Sequence, residues 1–444
     1  MGSVTNTAET ADQNTSSDYP AASKDGRGGA PDQPRADWSL SRGSAHAPGA
    51  PLVTIIGDGQ LARMMQHAAV ELGLSARVLA STPDASAAQV SADVVLGDYT
   101  NRDHVQEVSR DAAAVTFDHE HVPNEFLDDL INAGLNVQPQ PSALIHAQDK
   151  LVMRKKLREL GAPVPPFLEI TSAQDIEGFF EATKGAVCLK ARRGGYDGKG
   201  VWFPETVAEA KDLVTDLLAK DVPLMAEMKV QLVRELSAMV ARTPGGKIAS
   251  WPVVESVQEN GICVEAVAPA PETESAILHE AEELARMVAR ELGVTGVLAV
   301  ELFETVDEVG QPTIIVNELA MRPHNTGHWT QDGCVTSQFE QHLRAVLDRP
   351  LGRTTPLAEY TVMANVLGGE HDPQMPMRQR MDVVWARFPQ AKIHMYGKDW
   401  RPHRKIGHVN MTSAPGQTAT ELRREARLAA QFLVSAQWAD GWVA

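Results

Sequence analysis

The sequence predicts a mixed protein, α/β in its first part and α+β after it, and three observations support this. Short apolar runs alternate with amphipathic stretches over about residues 52–147, which is typical of parallel strands joined by helices. Beyond about residue 186, most of the predicted strands follow one another without a crossover helix, as in an α+β unit. The length of 444 residues leaves room for two or three domains. We expect four segments: a disordered tail over 1–49, an α/β unit over 50–147, an α+β unit over 148–354 and a small β-rich unit over 355–444.

Composition restricts the class of protein further. The tail is rich in Ser, Ala, Gly, Pro and Asp, so it lacks the apolar surface needed to offset the entropy of ordering. A formal net charge of −17 argues against nucleic acid or an anionic membrane as a partner. Neither a signal-like start nor an apolar run of about eighteen residues is present, so we expect a cytoplasmic protein. Its cysteines are too widely spaced to indicate a disulfide framework or a zinc site.

The predicted elements follow from the apolar pattern and from the turn residues. In the first unit we expect strands at 52–56, 76–80, 94–96 and 113–117, with a helix over 61–72 that ends at Gly73. In the second unit, a helix over 151–160 stops at Gly161, and strands are expected at 186–191, 224–227, 235–241, 249–254, 297–303 and 314–318. A helix is expected over 272–292. The third unit reads as short strands and turns with one helix over 420–436.

The first strand is followed by a glycine turn, Gly57-x-Gly59-x-x-Ala62, that has the spacing of a dinucleotide-binding fingerprint. Such a turn lets a phosphate approach a helix N-terminus. No acidic residue ends the second strand, where a dinucleotide-binding protein would hold the ribose. We therefore favour an ordinary strand-to-helix turn, with nicotinamide binding as the alternative.

A second glycine-rich segment carries a stronger signal. A predicted strand ends in Lys190, and the loop Gly194-Gly195-Tyr196-Asp197-Gly198-Lys199-Gly200 follows it. A flexible loop of this kind can close over a triphosphate with main-chain N–H groups and a lysine. It is not a Walker loop, because the Gly-Lys-Ser/Thr ending is missing. A mobile surface loop is the alternative.

Charged side chains recur at the ends of later strands. Glu301 and Glu318 each end an apolar run, so their carboxylates are expected at one edge of a sheet, where a shared Mg²⁺ would relieve their repulsion. Arg322 and His324 follow in the run Arg-Pro-His-Asn-Thr-Gly-His-Trp-Thr and offer anion recognition beside that pair. A basic run over 396–405 is either a solvated face or a phosphate-binding loop.

Taken together, these residues resemble the ATP-grasp superfamily and, within it, the N5-carboxyaminoimidazole ribonucleotide synthetase family. The His-Asn-Thr-Gly-His-Trp-Thr run is the most specific part, and the likeness covers about residues 51–440. It implies a Rossmann-like N-terminal domain, a central ATP-grasp domain and a small C-terminal β-rich domain. It also implies ATP- and bicarbonate-dependent carboxylation of the amine of 5-aminoimidazole ribonucleotide, through carboxyphosphate, in purine biosynthesis. The cofactors would be ATP and Mg²⁺, with Mn²⁺ as a substitute, and the family tends to form homodimers.

The resemblance also implies roles for individual residues, which overlap at the reacting groups. The expected catalytic residues are Asp197, Arg322 and His324, and the expected metal ligands are Glu301 and Glu318. ATP would be bound by Lys150, Lys190, Gly195, Tyr196, Asp197, Gly198, Lys199, Gly200, Glu227, Met228, Lys229, Val230, Glu235, Gln258, Asn317 and Glu318. The ribonucleotide would be bound by Gln60, Tyr196, Asp197, Arg322, His324, Lys398, Arg404 and Lys405.

Two positions depart from the family pattern. Ala62 replaces a glycine in the first turn, and Gln258 stands where a histidine facing the nucleotide is expected. Three alternative functions remain open at this point: a formate-dependent glycinamide ribonucleotide transformylase of the same superfamily, a nicotinamide-dependent oxidoreductase, and a nucleotide-binding regulator without catalysis.

Overall fold

A parallel sheet, flanked by helices, forms the first part of the protein in the computed structural model, which describes residues 46–194, 200–307 and 309–443. Its strand order is β3-β2-β1-β4, and all neighbouring strands are parallel. The elements are β1 (Leu52–Ile56), α1 (Gln60–Glu71), β2 (Ser75–Ala80), β3 (Asp93–Leu96), α2 (Arg102–Val108), β4 (Ala114–Phe117), α3 (Asn124–Asn132) and α4 (Pro141–Gln148). Each strand predicted here is present, because β1 and β4 are buried on both faces and therefore read as continuous apolar runs.

A second, smaller sheet is antiparallel and has the strand order β5-β8-β6-β7. Its elements are α5 (Lys150–Glu159), β5 (Phe167–Ile170), α6 (Ala173–Ala182), β6 (Val187–Ala191), β7 (Val201–Trp202), α7 (Val207–Leu218) and β8 (Leu224–Met228). β6 is fully buried and ends beside the loop. Asp149 caps α5 by accepting hydrogen bonds from the N–H groups of Leu151 and Val152, which fixes Lys150 in the first turn.

A larger antiparallel sheet carries the acidic pair. Among the described residues it has nine strands, in the order β14-β13-β9-β11-β12-β15-β17-β16, with β10 paired to β9. The elements of its first part are β9 (Arg234–Arg242), β10 (Ile248–Ser250), β11 (Val254–Glu259), β12 (Ile262–Ala268), α8 (Ser275–Glu291), β13 (Gly296–Val306), β14 (Pro312–Ala320), α9 (Thr330–Gly333) and α10 (Gln338–Val346). The strand predicted over 249–254 was placed wrongly, because β10 ends at Ser250 and a separate hairpin, β11–β12, begins at Val254.

The C-terminal part extends the same large sheet. Its elements are β15 (Thr361–Leu367), α11 (Met377–Arg387), β16 (Lys392–Met395), β17 (Lys405–Thr412) and α12 (Ala419–Ser435). β15 pairs with β12 in an antiparallel register, so the last strands are joined to the central ones by main-chain hydrogen bonds. The prediction of a single helix in this part missed α11, whose only buried residues are Arg380 and Val384. No helix in the described ranges is long and apolar enough to cross a bilayer.

Candidate active site

A cleft with a volume of about 1540 Å³ lies between the two antiparallel sheets and the parallel sheet of the first part. Residues from widely separated segments line it, from Gln60 at the start of α1 to Lys405 at the start of β17. The predicted site residues found in its lining are Gln60, Lys150, Lys190, Glu227, Met228, Lys229, Val230, Glu235, Gln258, Glu301, Asn317, Glu318, Arg322, His324 and Lys405. Predictions for Gly195, Tyr196, Asp197, Gly198 and Lys199 concern positions outside the described residues. The structure therefore brings most of the predicted site together around one cavity.

Three predicted residues are not part of that lining. Gly200 ends the loop and is the first described residue beyond Gly194, and its carbonyl accepts a hydrogen bond from the N–H of Ala191. Arg404 donates to the carbonyl of Asp399 at 3.3 Å. Lys398 lies beside the cleft and reaches it through its hydrogen bond to the side-chain oxygen of Gln60.

The acidic pair lies on two adjacent strands. Glu301 on β13 is the direct cross-strand partner of Glu318 on β14. Glu318 Oε2 lies 2.9 Å from Lys150 Nζ, and Glu301 Oε1 lies 3.1 Å from His324 Nε2. Burial alone would raise the pKa of Glu318, but Lys150 overrides that effect and lowers the pKa to about 2. Both side chains face the cleft, as predicted.

A third carboxylate, Glu235 on β9, lies beside this pair. Burial and, after it, the negative charges of Glu301 and Glu318 together raise the pKa of Glu235 to about 7. The negative charges of Glu301 and Glu318 thus disfavour a third charge at Glu235. No group of three or more Asp, Glu, His or Cys side chains in the described ranges is arranged to hold a metal by itself. The donor set fits an ion that takes two carboxylates from the protein and its other ligands from phosphate and water, as Mg²⁺ does.

A buried ionic network forms the wall behind the pair. Glu227 Oε1 accepts from Arg154 Nε at 2.7 Å, and Glu227 Oε2 accepts from Lys190 Nζ at 2.7 Å. Burial would raise the pKa of Glu227, but these two cations lower it to about 2. Arg154 also donates to the carbonyl of Asn317 at 2.6 Å, which ties the network to β14. The side chain of Glu227 is thus an anchor for Lys190.

The main chain of 227–230 was expected to hold the adenine ring. The N–H of Met228 donates to Pro166 O at 2.8 Å, and that of Lys229 donates to Ala186 O at 2.9 Å. Both donors are therefore already used within the protein. A base bound here must use the other main-chain groups of this segment. Gln258, the departure from the family pattern, lines the same cleft and donates to Ser256 Oγ at 2.8 Å.

Arg322 and His324 are held by partners from different parts of the chain. Arg322 Nε donates to Glu120 Oε2 at 2.8 Å, and this carboxylate overrides the effect of burial and raises the pKa of Arg322. His324 Nδ1 lies 2.9 Å from Thr326 Oγ1. Sequence reasoning missed Glu120, although the charged run Asp-His-Glu-His directly after the buried strand β4 was a visible signal.

The glycine turn after β1 does not provide a dinucleotide site. Asp118 Oδ2 accepts the N–H of Gly59 at 2.7 Å, so the N-terminus of α1 already faces a carboxylate. A Cβ atom added at Gly57 would lie 1.7 Å from Asp118 Oδ1, and Gly57 has a φ of +126°. These glycines therefore allow close approach of Asp118 rather than of a pyrophosphate. This geometry favours the ordinary turn over nicotinamide binding.

The basic run over 396–405 lies against the first part of the protein. Ser86 Oγ donates to Tyr396 O at 2.6 Å, and Gln89 Nε2 donates to Gly397 O at 2.7 Å. Burial, followed by repulsion from Arg404, lowers the pKa of Lys398 to about 8. No carboxylate lies within ion-pair distance of Lys398 among the described residues, although Asp118 and Asp58 act on it weakly from further away. The side chains of Lys398 and Lys405 thus place positive charge at this end of the cleft, whereas Arg401 and His403 of the same run are exposed.

Comparison with protein families matches three successive segments of the chain. Residues 51–148 match the ribonucleotide synthetase preATP-grasp domain, residues 155–339 match the ATP-grasp domain, and residues 361–423 match the phosphoribosylaminoimidazole carboxylase C-terminal domain. The predicted fold class, with its three types of domain, is confirmed.

Curated and solved relatives agree with this result. The N5-carboxyaminoimidazole ribonucleotide synthase of Corynebacterium ammoniagenes is 62% identical over 400 residues, which cover 90% of this chain and 96% of that protein. The enzyme of the same name from Mycobacterium leprae is 50% identical, with 88% and 91% covered. A crystal structure of the Aspergillus clavatus enzyme with ADP and 5-aminoimidazole ribonucleotide has a TM-score of 0.77 and 29% identity, covering 86% of this chain and 99% of that one. The chain belongs to the N5-carboxyaminoimidazole ribonucleotide synthase family of ATP-grasp enzymes.

Proposed function

We propose that this protein uses ATP and bicarbonate to carboxylate the exocyclic amine of 5-aminoimidazole ribonucleotide. The observation that carries the proposal is that one cleft connects the Glu301–Glu318 pair with Gln60, the partner of Lys398. A nucleoside triphosphate bound with a divalent cation fits the acidic end, and a phosphate monoester fits the cationic end. Membership of the family and the ADP and ribonucleotide named for its Aspergillus clavatus member support this assignment.

At the acidic end, ATP phosphates would bind to lysines that are paired with carboxylates in the free protein. Lys150 and Lys190 are held by Glu318 and Glu227, and each lies in the cleft wall, ready to contact phosphate oxygens. Glu301 and Glu318 would hold Mg²⁺, with Asn317 beside them at 3.4 Å from Glu301 Oε2. When bound, Mg²⁺ supplies positive charge that offsets the charge of the phosphoryl oxygens. Glu235 would accept the ribose hydroxyls, and the segment 227–230 would contact the adenine.

Bicarbonate is a poor electrophile at its carbon and has to be phosphorylated before the amine can attack it. Bicarbonate attacks the γ-phosphorus of ATP, the bond to the β-phosphate oxygen breaks, and carboxyphosphate and ADP form. Arg322 would neutralise the bicarbonate and carboxyphosphate oxygens, because its guanidinium remains charged beside Glu120. His324, whose Nε2 lies 3.1 Å from Glu301 Oε1, would donate to the same group. The amine then attacks the carboxyl carbon, or the CO₂ released from carboxyphosphate, and inorganic phosphate leaves.

At the cationic end, Lys398, Arg404 and Lys405 would bind the 5′-phosphate of the ribonucleotide. Gln60 keeps Lys398 close to the cleft without neutralising it. Asp197, which we propose accepts the amine proton, and the covering loop lie outside the described residues. Water exclusion by that loop would protect carboxyphosphate from hydrolysis.

We also propose domain boundaries at 50–147, 148–354 and 355–444, and a homodimer that works in the cytoplasm. The boundaries accord with the matched families, and the dimer is an expectation that light scattering after size exclusion would test directly.

The function is tested by measuring ADP release with each substrate omitted in turn. We expect release to depend on both 5-aminoimidazole ribonucleotide and bicarbonate. Release that depends instead on glycinamide ribonucleotide and formate would identify the transformylase alternative. Nucleotide binding without release under any of these conditions would indicate a regulator.

A further inference from the structure

Gln338 is buried at the start of α10 and does not line the cleft, yet it contacts the segment that carries His324. Its side-chain oxygen accepts the main-chain N–H of His324 at 2.7 Å. Its Nε2 donates to the main-chain carbonyl of the same residue at 2.8 Å. One carboxamide therefore satisfies both main-chain polar groups of His324, as a neighbouring strand would.

The same glutamine also contacts the residues that follow His324, up to Thr330. Its Nε2 lies 3.1 Å from Nδ1 of the fully buried His328, and its main-chain N–H donates to Thr330 Oγ1 at 2.9 Å. Thr330 in turn donates to the carbonyl of Gly327 at 2.6 Å. A Cβ atom added at Gly327 would lie 2.4 Å from the Gln338 oxygen and 2.4 Å from the Met239 methyl carbon, so a side chain at 327 would have to displace both.

Holding the main chain of His324 also sets where its ring lies. The ring contacts Thr326 Oγ1 on one side and Glu301 on the other, and both contacts require the main chain to stay within a few tenths of an ångström. Thr326 is itself bonded to Ser237 Oγ at 2.8 Å on β9. Gln338 is thus the link between the body of α10 and the His324–Glu301 contact in the cleft.

We infer that Gln338 is a positioning residue for the reaction, which acts through the main chain of His324 and takes no part in binding ATP. The inference rests on the proposed function of the site. Misplacement of a reacting group by about 1 Å is enough to lower a rate by about 100-fold.

The chain provides a matched control one turn further along the same helix. Gln341 is also fully buried, and its carboxamide makes the same double contact with the main chain of Gly352: Oε1 accepts from Gly352 N at 2.7 Å and Nε2 donates to Gly352 O at 2.9 Å. Neither Gln341 nor Gly352 lines the cleft. Loss of either glutamine leaves two main-chain groups without their partner, so the cost to stability should be similar.

The test compares Gln338→Met with Gln341→Met, because methionine has nearly the same length without a donor or an oxygen. Both variants should show similar falls in thermal stability. We expect the Gln338 variant to lose about 100-fold in the kcat of ribonucleotide-dependent ADP release, with KM for ATP within about twofold of wild type. Gln341→Met should keep kcat within about threefold. Equal kcat values for the two folded variants would overturn the inference.

A double-variant cycle separates positioning through His324 from a general loss of order. In a His324→Ala background, Gln338→Met should have little further effect on kcat, since the residue it positions is gone. Additive effects would refute the proposed route. Should Gln338→Met fail to fold, Gln338→Glu serves instead, because glutamate keeps the acceptor for the His324 N–H but loses the donor to the His324 carbonyl. Wild-type kcat in that variant would also overturn the inference. Absence of ribonucleotide-dependent release in the wild type would instead contradict the proposed function.

Discussion

The two ends of the cleft hold their cations in opposite ways. At the ATP end, Lys150 and Lys190 are each paired with a carboxylate, within 2.9 and 2.7 Å, and the acidic partners have pKa values of about 2. At the phosphate end, Lys398 is bonded to a neutral amide, and burial lowers its pKa to about 8. The two lysines of the first end are therefore already paired before ligand binds, while Lys398 has no carboxylate within ion-pair distance among the described residues, and an incoming phosphate would supply the opposite charge.

This difference predicts different consequences of substitution. Removing a charge from the ATP end leaves a buried partner uncompensated, so both stability and turnover should suffer. Removing the charge of Lys398 leaves nothing uncompensated, so the loss should be confined to binding of the ribonucleotide. The four predictions below test this contrast, from the largest expected effect to the smallest.

Glu318→Gln should lower ATP turnover by about 1,000-fold, because the cation loses a ligand and Lys150 loses its partner. Steady-state ADP release measures the effect, and circular dichroism checks that the variant is folded. Glu304→Gln on β13 is the control, since Glu304 pairs with Arg234 at 2.9 Å away from the cleft lining. Turnover within tenfold of wild type in folded Glu318→Gln would contradict the role of this residue.

Glu227→Gln should lower the free energy of unfolding by about 3–5 kcal/mol, because Arg154 and Lys190 would remain buried without their shared carboxylate. Urea denaturation measures this. The native pKa of Glu227 is about 2, below its ordinary 4.5, so its contribution is present above about pH 4.5 and is lost as the pH falls towards 2. Lys398→Met should leave the free energy of unfolding unchanged or raise it at pH 7. A similar loss in both variants would remove the contrast between the two ends.

Lys398→Ala should raise KM for 5-aminoimidazole ribonucleotide by about 10–100-fold, the effect of losing a hydrogen bond from a charged donor. KM for ATP should change by less than about twofold. The exposed Lys392 on the neighbouring strand β16 provides the control variant, Lys392→Ala. Equal changes in both KM values would show that Lys398 does not belong to the ribonucleotide end.

The smallest expected effect is a change of kcat/KM for the ribonucleotide with pH. Lys398 is protonated below about pH 8 in the free enzyme and neutral above it, so kcat/KM for the ribonucleotide should fall several-fold as pH rises through 8. In Lys398→Arg this decline should disappear, because arginine keeps its charge throughout that range. A decline that persists unchanged in the arginine variant would assign it to another group.

The sequence predicted the acidic pair because a charged residue at the end of an apolar strand is a local signal. Glu301 and Glu318 were recognisable in this way, and their cross-strand pairing followed from neighbouring strands. Three residues that hold other members of the site in place were not predicted. Arg154 and Gln338 each act on a residue more than ten positions away, so no local pattern marks them, whereas Glu120, which holds Arg322, lies in the charged run after β4 and could have been found.

Among the missed elements, one had a usable signal and one did not. The hairpin β11–β12 turns at Asn260-Gly261, both with positive φ, and this dipeptide is the strongest short-range hairpin signal. Helix α11 has no such signal, because one of its two buried positions is an arginine. The burial of Arg380 is compensated by hydrogen bonds that it donates to the carbonyls of Met375 and Leu433, which lie outside the helix.

The central claim is that Glu301 and Glu318 jointly hold a divalent cation with the nucleotide, and binding of Mn²⁺ measured by electron paramagnetic resonance tests it most directly. With a non-hydrolysable ATP analogue present, wild-type protein should bind Mn²⁺ at least about tenfold more tightly than the Glu301→Gln/Glu318→Gln double variant. The same affinity in both proteins, with the double variant folded, would contradict the claim.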